Sequence, residues 1–99
     1  MVSTTDIDKA LETIIQLKSD YYWEMINKQT SYRKKVLYVL SCGVQEIFSK
    51  ETTNNYDLGS VSTTQKALDV FIEDGLVEKM DKHYILSDPL FKLFINNNL

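Results

Sequence analysis

Residues 60–80 have the sequence SVSTTQKALDVFIEDGLVEKM, and this stretch decides the fold. Ser60 or Ser62 is suited to cap the start of a helix, and Ser62 with Gln65 three residues later has the spacing of a capping box. Gly75 marks the end of that helix, since glycine readily adopts the left-handed conformation found after many helices. We expect the helix to pack on the short helix before it and to bury one stripe of side chains: Thr64, Ala67, Leu68, Phe71 and Ile72.

A hairpin and a further helix are expected after Gly75. Leu76–Met80 and Tyr84–Leu86 flank Asp81 and Lys82, which are suited to a tight turn, so the segment predicts two antiparallel strands. Asp88 followed by Pro89 begins the last helix, because aspartate caps helices and proline already has a helical φ. The apolar face of this helix has four members, Leu90, Phe91, Phe94 and Ile95, and a polar tail follows over Asn96–Asn98.

A long amphipathic helix is expected from Asp6 to about Asn27. Apolar side chains recur along it at three- and four-residue steps and form one stripe: Ile7, Ala10, Leu11, Ile14, Leu17, Tyr21 and Met25. Tyr22, Trp23 and Ile26 widen this face, so we expect the helix to carry a partner contact or much of the core. The aromatic group of Tyr21, Tyr22, Trp23, Tyr32 and Tyr38 is expected to pack between the first two helices, with a stacking platform for a ligand as the alternative.

Shorter elements fill the segment between the long helix and residue 60. A second helix is predicted from about Tyr32 to Ser41, with Gly43 as its stop. The alternation in Gln45–Ser49 fits a strand of three or four residues, and a brief helix follows over Lys50–Tyr56. Gly59 is expected to supply the left-handed residue that closes this segment.

The order of helix, helix, short strand, short helix, helix and hairpin resembles a winged helix. The local signature is Leu58-Gly59-Ser60, then residues 63–68 and Phe71, then Asp74-Gly75-Leu76-Val77. It is similar to the recognition helix and first wing strand of many bacterial and archaeal winged-helix domains. The resemblance implies a mainly α class with a small β-hairpin, built as a winged helix-turn-helix: a three-helix core plus wing, with an extra long N-terminal helix and a short C-terminal helix.

A more specific resemblance lies at residues 84–91, YILSDPLF. This segment is similar to the wing exit and following helix of winged-helix domains that lie C-terminal to the nucleotide-binding domain in archaeal-type AAA ATPases, a family common in archaea and Bacteroides-like bacteria. The resemblance covers roughly residues 32–95. It implies that residues 1–99 are a single domain, excised from a larger ATPase whose own module is a partner. None of Gly43, Gly59 and Gly75 precedes a Lys-Ser/Thr pair, so ATP binding is not assigned to this chain.

Composition limits the class of function. A chain of 99 residues is the size of one domain, and 43% hydrophobic with 25% charged residues is typical of a folded protein. One Cys and one His make no metal site, and no paired carboxylates or nucleophile–base set indicates an enzyme, so we expect a non-catalytic domain without cofactors. No apolar run reaches the ~20 residues of a membrane span, and the lone cysteine fits a reducing compartment. We therefore expect a cytoplasmic protein that does not enter membranes.

Double-stranded DNA is a candidate partner of this fold. The N-terminal half of the 60–75 helix would enter the major groove and offer Ser60, Ser62, Thr63, Gln65 and Lys66. Phosphate contacts are expected from the run Arg33, Lys34 and Lys35 and from the wing residues Lys79 and Lys82. The alternative is that all of these side chains are merely solvated. Charge favours that alternative, since the net charge is −3 and residues 60–83 hold three lysines against five acidic residues.

Three functions stay open at this point. The first is a DNA-binding or regulatory module at the C-terminal end of an AAA-type ATPase. The second is an interaction module that packs against its own ATPase or another chain without contacting nucleic acid, and the third is a stand-alone transcriptional regulator. Because the first and last helices have more apolar surface than a three-helix core needs, we also expect a homodimer built on these two helices.

Overall fold

The computed structural model describes residues 4–99, with side chains described from residue 8 onward. Within that range the chain forms five helices and one two-stranded antiparallel sheet. In chain order these are α1 (Thr4–Asn27), α2 (Ser31–Ser41), α3 (Lys50–Tyr56), α4 (Val61–Glu73), β1 (Val77–Met80), β2 (His83–Leu86) and α5 (Pro89–Asn98). The predicted class, a mainly helical winged helix with one hairpin, is confirmed.

Helix α2 lies at the centre of the core, in contact with α4, β2 and α5. From α4, the predicted Thr64, Ala67, Leu68 and Phe71 are buried. Helix α4 packs mainly on α2 and β1 rather than on α3, so the predicted contact with the preceding short helix is not its principal one. Ile72 is 39% exposed and does not belong to the buried stripe. It lies about 100° around the helix from Phe71, beyond the edge of the buried face.

Helix α1 faces the core with a different side from the one that its apolar spacing predicts. Tyr22 and Ile26 are buried, and Ile15 and Met25 are partly buried against the core. Five members of the predicted stripe are instead exposed: Ala10, Leu11, Ile14, Leu17 and Tyr21. The side chain of Ile7 lies outside the described residues. The helix therefore has two apolar faces, and the domain covers only one of them.

Aromatic rings join α1 to α5. The ring centroid of Tyr22 lies 5.0 Å from that of Phe91 and 5.2 Å from that of Phe94, and Trp23 meets Phe94 edge-on at 5.3 Å. The Tyr22 hydroxyl donates a hydrogen bond of 2.9 Å to Oδ2 of Asp88. The other oxygen of that carboxylate accepts the Leu90 N–H at 2.9 Å and caps α5. The prediction that the aromatic group packs between the first two helices is therefore wrong, because Tyr22 and Trp23 pack on the last helix.

The apolar face of α5 is covered by the chain itself. Phe91, Phe94 and Ile95 are buried and Leu90 is partly buried, because α5 packs against both α1 and α2. The expectation that this face is free for a neighbouring module or copy is wrong. Asn96–Asn98 are not a tail but part of the helix, as the 2.8 Å bond from the Leu99 N–H to the Ile95 carbonyl shows.

Most predicted helix ends and the predicted hairpin turn are confirmed. Ser60 caps α4, its Oγ accepting the Thr63 N–H at 3.2 Å, and Gly43 and Gly75 both have a φ of 78°. Met80 pairs with His83, so Asp81 and Lys82 form the turn, with Asp81 at a φ of 59°. The capping box of Ser62 and Gln65 does not form, because α4 already begins at Val61.

Two predictions between α2 and α4 are wrong. Residues 45–49 form turns rather than a strand. The Glu46 carbonyl accepts the Ser49 N–H at 3.1 Å and the Thr52 hydroxyl at 2.9 Å, so it is not available to pair with a neighbouring strand. Asp57 rather than Gly59 adopts the left-handed conformation, with a φ of 53°, that ends α3. Aspartate tolerates this region better than most residues because its short side chain bonds locally.

Replacing Phe71 with alanine should lower the free energy of unfolding by about 3–5 kcal/mol, the usual result of removing a fully buried aromatic ring. Ile72→Ala is the matched control, because the adjacent side chain is largely outside the core, and it should cost less than about 1 kcal/mol. Urea denaturation measures both. Equal costs for the two substitutions would show that the helix is rotated relative to the core.

Replacing Tyr22 with phenylalanine should cost about 1–3 kcal/mol at neutral pH, because it removes a hydrogen bond to a carboxylate. Burial, together with the bond to Asp88, raises the pKa of Tyr22 from its ordinary 10.0 to about 12. The stability contributed by its neutral hydroxyl is therefore complete below pH 10 and is lost as the pH rises through 12. Urea denaturation at pH 8 and at pH 11 measures this. Between these two pH values, the free energy of unfolding should fall less for Tyr22→Phe than for the unmodified chain.

Tyr21→Phe is the control for this pair of measurements, since the Tyr21 side chain on the same helix is largely exposed. It should change the stability by no more than about 0.5 kcal/mol at neutral pH. If Tyr22→Phe were equally neutral, the bond to Asp88 would contribute nothing to the fold.

Candidate nucleic-acid interface

The N-terminal ends of α2 and α4 lie side by side. The hydroxyls of Tyr32 in α2 and Thr64 in α4 share a hydrogen bond of 2.5 Å, and Thr64 is buried. Each helix begins at a capping hydroxyl, Thr30 accepting the Arg33 N–H at 3.2 Å and Ser60 performing the same role for α4. Because helix N-termini carry partial positive charge, this pairing favours anions at one side of the domain.

A groove of about 520 Å³ runs between these two helix ends. Arg33 lines it from α2 and Lys66 lines it from α4, so two of the cations predicted to contact DNA, 33 residues apart in sequence, share one surface. The complete lining is Thr30, Tyr32, Arg33, Thr63, Lys66, Ala67, Asp69 and Val70. Asp69 is the acidic member of this lining.

Charge is unevenly distributed along α4. Residues 61–68 include Lys66 and no acidic residue, whereas Asp69 and Glu73 lie in the later turns and Asp74 caps the end. The acidic excess counted over residues 60–83 therefore comes from the C-terminal end of α4, since the two acidic residues of the wing are matched by two lysines. The half of the helix predicted to meet DNA is neutral or positive.

The first turn of α4 is open to solvent. Ser62 and Thr63 are exposed, and the Ser60 hydroxyl is bonded to the Thr63 N–H as well as lying 2.9 Å from the Thr63 hydroxyl. The backbone N–H groups of Val61 and Ser62 have no intrahelical acceptor at this position. Ser60 thus shapes the helix end, while Ser62, Thr63 and the two amides offer hydrogen bonds to a ligand.

Gln65 is less available than the sequence suggests. Its side-chain amide donates to Oδ1 of Asp69 at 2.8 Å, and its carbonyl accepts the Tyr84 hydroxyl at 3.4 Å. Lys79 in the wing lies with its Nζ 5.7 Å from the centroid of the Tyr84 ring. Tyr84 therefore connects the wing to α4, a link that no spacing in the sequence indicates.

The remaining predicted cations lie outside the groove. Lys35 donates from Nζ to the Asp57 carbonyl at 3.1 Å, with the Asp57 carboxylate at 3.9 Å, so it fastens α2 to the end of α3. Lys34 is half-buried on α2, and Lys82 is exposed at the tip of the hairpin. Sequence reasoning missed Thr30 and Tyr32 in the lining, although Thr30, three residues before Arg33, has the position of a helix cap.

In the part of the chain that the structure describes, no helix is both long enough and apolar enough to cross a bilayer. No group of three His, Cys, Asp or Glu side chains there is arranged to hold a metal ion.

A family model described as "Probable winged helix domain" matches residues 20–97. Neither the curated proteins nor the solved structures gave a match to this chain. The matched range begins two residues before Tyr22 and ends within α5, so it includes the α1–α5 contact, the helices that form the groove and the hairpin. The chain therefore belongs to this family of winged helix domains.

Proposed function

We propose that the domain is a DNA-binding or regulatory module that contacts double-stranded DNA through the N-terminal half of α4. The observation that carries the proposal is the groove that Arg33 and Lys66 line together, with Asp69 as its acidic member; residues 61–68, at the start of α4, carry no acidic residue. Membership of a winged helix family supports it, since such domains commonly place a helix N-terminus in the major groove.

All but two of the predicted residues contact DNA in this proposal; the exceptions are Ser60, which caps α4, and Lys35, which bonds to Asp57. Ser62, Thr63 and Lys66 lie where they meet base edges or phosphates, and the free amides at the start of α4 bind a phosphate as helix N-termini do. Arg33 and Lys34 neutralise the backbone from α2, and Lys79 and Lys82 do so from the wing. Gln65 reads adenine only by exchanging its bonds to Asp69 and Tyr84 for bonds to the base.

An interaction module without nucleic-acid contact is the second candidate function. The exposed apolar face of α1 favours it, and so does the net charge of −3. In this case Asp69 and Glu73, on the exposed side of α4, would repel phosphate more strongly than Arg33 and Lys66 attract it.

The wider context also belongs to the proposal: a cytoplasmic module C-terminal to an AAA-type ATPase, rather than a stand-alone regulator. Its support is the resemblance at residues 84–91. Within this fold Asp88 already has a structural task, because it caps α5 and accepts the Tyr22 hydroxyl. The coding region upstream tests the context directly: a P-loop there supports the ATPase assignment, and a gene without one favours the stand-alone regulator.

Binding to a mixed-sequence duplex of about 25 base pairs should weaken steeply as salt is raised from 50 to 200 mM, because cations on DNA are released when lysine and arginine replace them. Fluorescence anisotropy measures this. Lys66→Gln and Arg33→Gln should each weaken binding to all sequences alike and reduce the salt slope by about 1.

The matched control is Lys9→Gln, which removes the same charge from an exposed position on α1 away from the groove. It should leave the salt slope unchanged. Absence of binding to any duplex at 50 mM salt, or equal losses for Lys9→Gln and Lys66→Gln, would overturn the DNA proposal and favour the interaction module.

A further inference from the structure

Helix α1 carries an apolar stripe that no other part of the described chain covers. This outer stripe comprises Ala10, Ile14, Leu17 and Tyr21. Ile14 is 40%, Leu17 81% and Tyr21 61% exposed. Isolated exposed apolar residues are common on proteins, but four in one line along a helix mark an interaction surface.

The spacing of the outer stripe is that of a coiled-coil seam. Its members are separated by four, three and four residues, the alternation of a and d positions in a heptad repeat. Ile14 and Tyr21 occupy a positions, and Ala10 and Leu17 occupy d positions; position 7, also isoleucine, continues the a series in the sequence. Ile14 at a and Leu17 at d form the combination that, in parallel coiled coils, favours two strands over three or four.

The fold keeps this seam away from the core of its own domain. Tyr22, Ile26 and the partly buried Ile15 face α5 and the core, and Leu17 lies about 140° around the helix from Tyr22. With α5 already packed on the inner face, Ala10, Ile14 and Leu17 are left exposed, while Tyr21 borders a cavity beside Asp74 and Gly75 and is still 61% exposed. Two copies joined along the outer stripe would hold their bodies on opposite sides of the seam.

We propose that the outer stripe binds a second copy of this chain, forming a parallel two-stranded coiled coil through α1. The charges beside the stripe fit the parallel arrangement. Thr13 and Asp20 follow one edge, and Leu11, Lys18 and Met25 follow the other. Parallel helices bring the first edge of one copy against the second edge of the other, so no like charges meet. Antiparallel helices with Ile14 opposite Leu17 would bring Lys18 against Lys18 of the partner, which is unfavourable.

This dimer uses α1 alone, because α5 is occupied in the core of its own domain. The dimer does not depend on DNA binding, since the outer stripe lies on α1 and the groove lies between α2 and α4. The two proposals can therefore fail separately, because the dimer is tested without DNA. Combined with the proposed function, it would present two copies of α4 related by a two-fold axis, the arrangement that suits a palindromic site.

Sedimentation equilibrium of the 99-residue chain should show a reversible monomer–dimer equilibrium. Leu17→Glu should weaken the dimer at least tenfold, because it places a charge at the most exposed d position. Gln16→Glu, which adds the same charge one residue away on the other side of α1, should leave the dissociation constant within about twofold. A chain that stays monomeric at millimolar concentration, or a dimer insensitive to Leu17→Glu, overturns the proposal; a different protein would then be the occupant of the stripe.

Cross-linking tests the direction of the helices. In a Cys42→Ser background, Tyr21→Cys should oxidise rapidly to a disulfide dimer, because identical a positions face each other only in the parallel arrangement. In the antiparallel alternative residue 21 faces residue 10, and the two cysteines at position 21 are about 16 Å apart along the axis, too far for a disulfide. Rapid linking of Ala10→Cys to Tyr21→Cys in a mixture, without linking of Tyr21→Cys to itself, would overturn the parallel dimer.

Discussion

The structure depends on the contact between Tyr22 and the start of α5. The buried ring packs on Phe91 and Phe94, and its hydroxyl bonds the same carboxylate that caps α5. This contact joins the first helix to the last and so determines which side of α1 faces inward. Once that side is fixed, the opposite apolar side of α1 has no element of its own chain to cover it. A single buried tyrosine therefore sets both the closure of the domain and the presence of the outer stripe.

The fold was predictable from the sequence wherever a local signal decided it. Gly43, Gly75, Ser60 and the pair Asp88-Pro89 act within one turn, and each ends or begins a helix as predicted. The inward face of α1 was not predictable, because its longest regular apolar stripe is the exposed one and the inner face follows a shorter, partly aromatic series. Periodicity measures how apolar a face is and does not indicate what covers it. The strand predicted over residues 45–49 was wrong for a related reason. The Thr52 hydroxyl, which donates to the Glu46 carbonyl, comes from the following helix.

The candidate site shows the same division between local and long-range information. The exposed start of α4 and its Lys66 followed from the helix and its cap. That Arg33 lies across a groove from Lys66 depends on the bond between Tyr32 and Thr64, which connects two helices without a sequence signal. Net charge does not indicate the local charge along α4, because it averages the acid-free first half of the helix with the acidic second half. In the sequence, Lys35 and Gln65 look as available to a ligand as their neighbours. In the structure Lys35 is bonded to Asp57, and Gln65 is bonded to Asp69 and Tyr84.

The outer stripe and the groove are connected by packed elements rather than by a flexible link. Helix α1 is fixed on α5 by the Tyr22 contact, α5 packs on α2, and α2 is bonded to α4 through Tyr32 and Thr64. Protein interiors are close-packed and transmit displacement, so the position of α4 relative to the outer stripe is set by these packed side chains. For a two-fold pair, the separation of the two α4 helices would therefore be set by these side chains. Selection for one spacing of DNA half-sites would then act on Tyr22, Phe91 and Phe94, although none of them touches DNA.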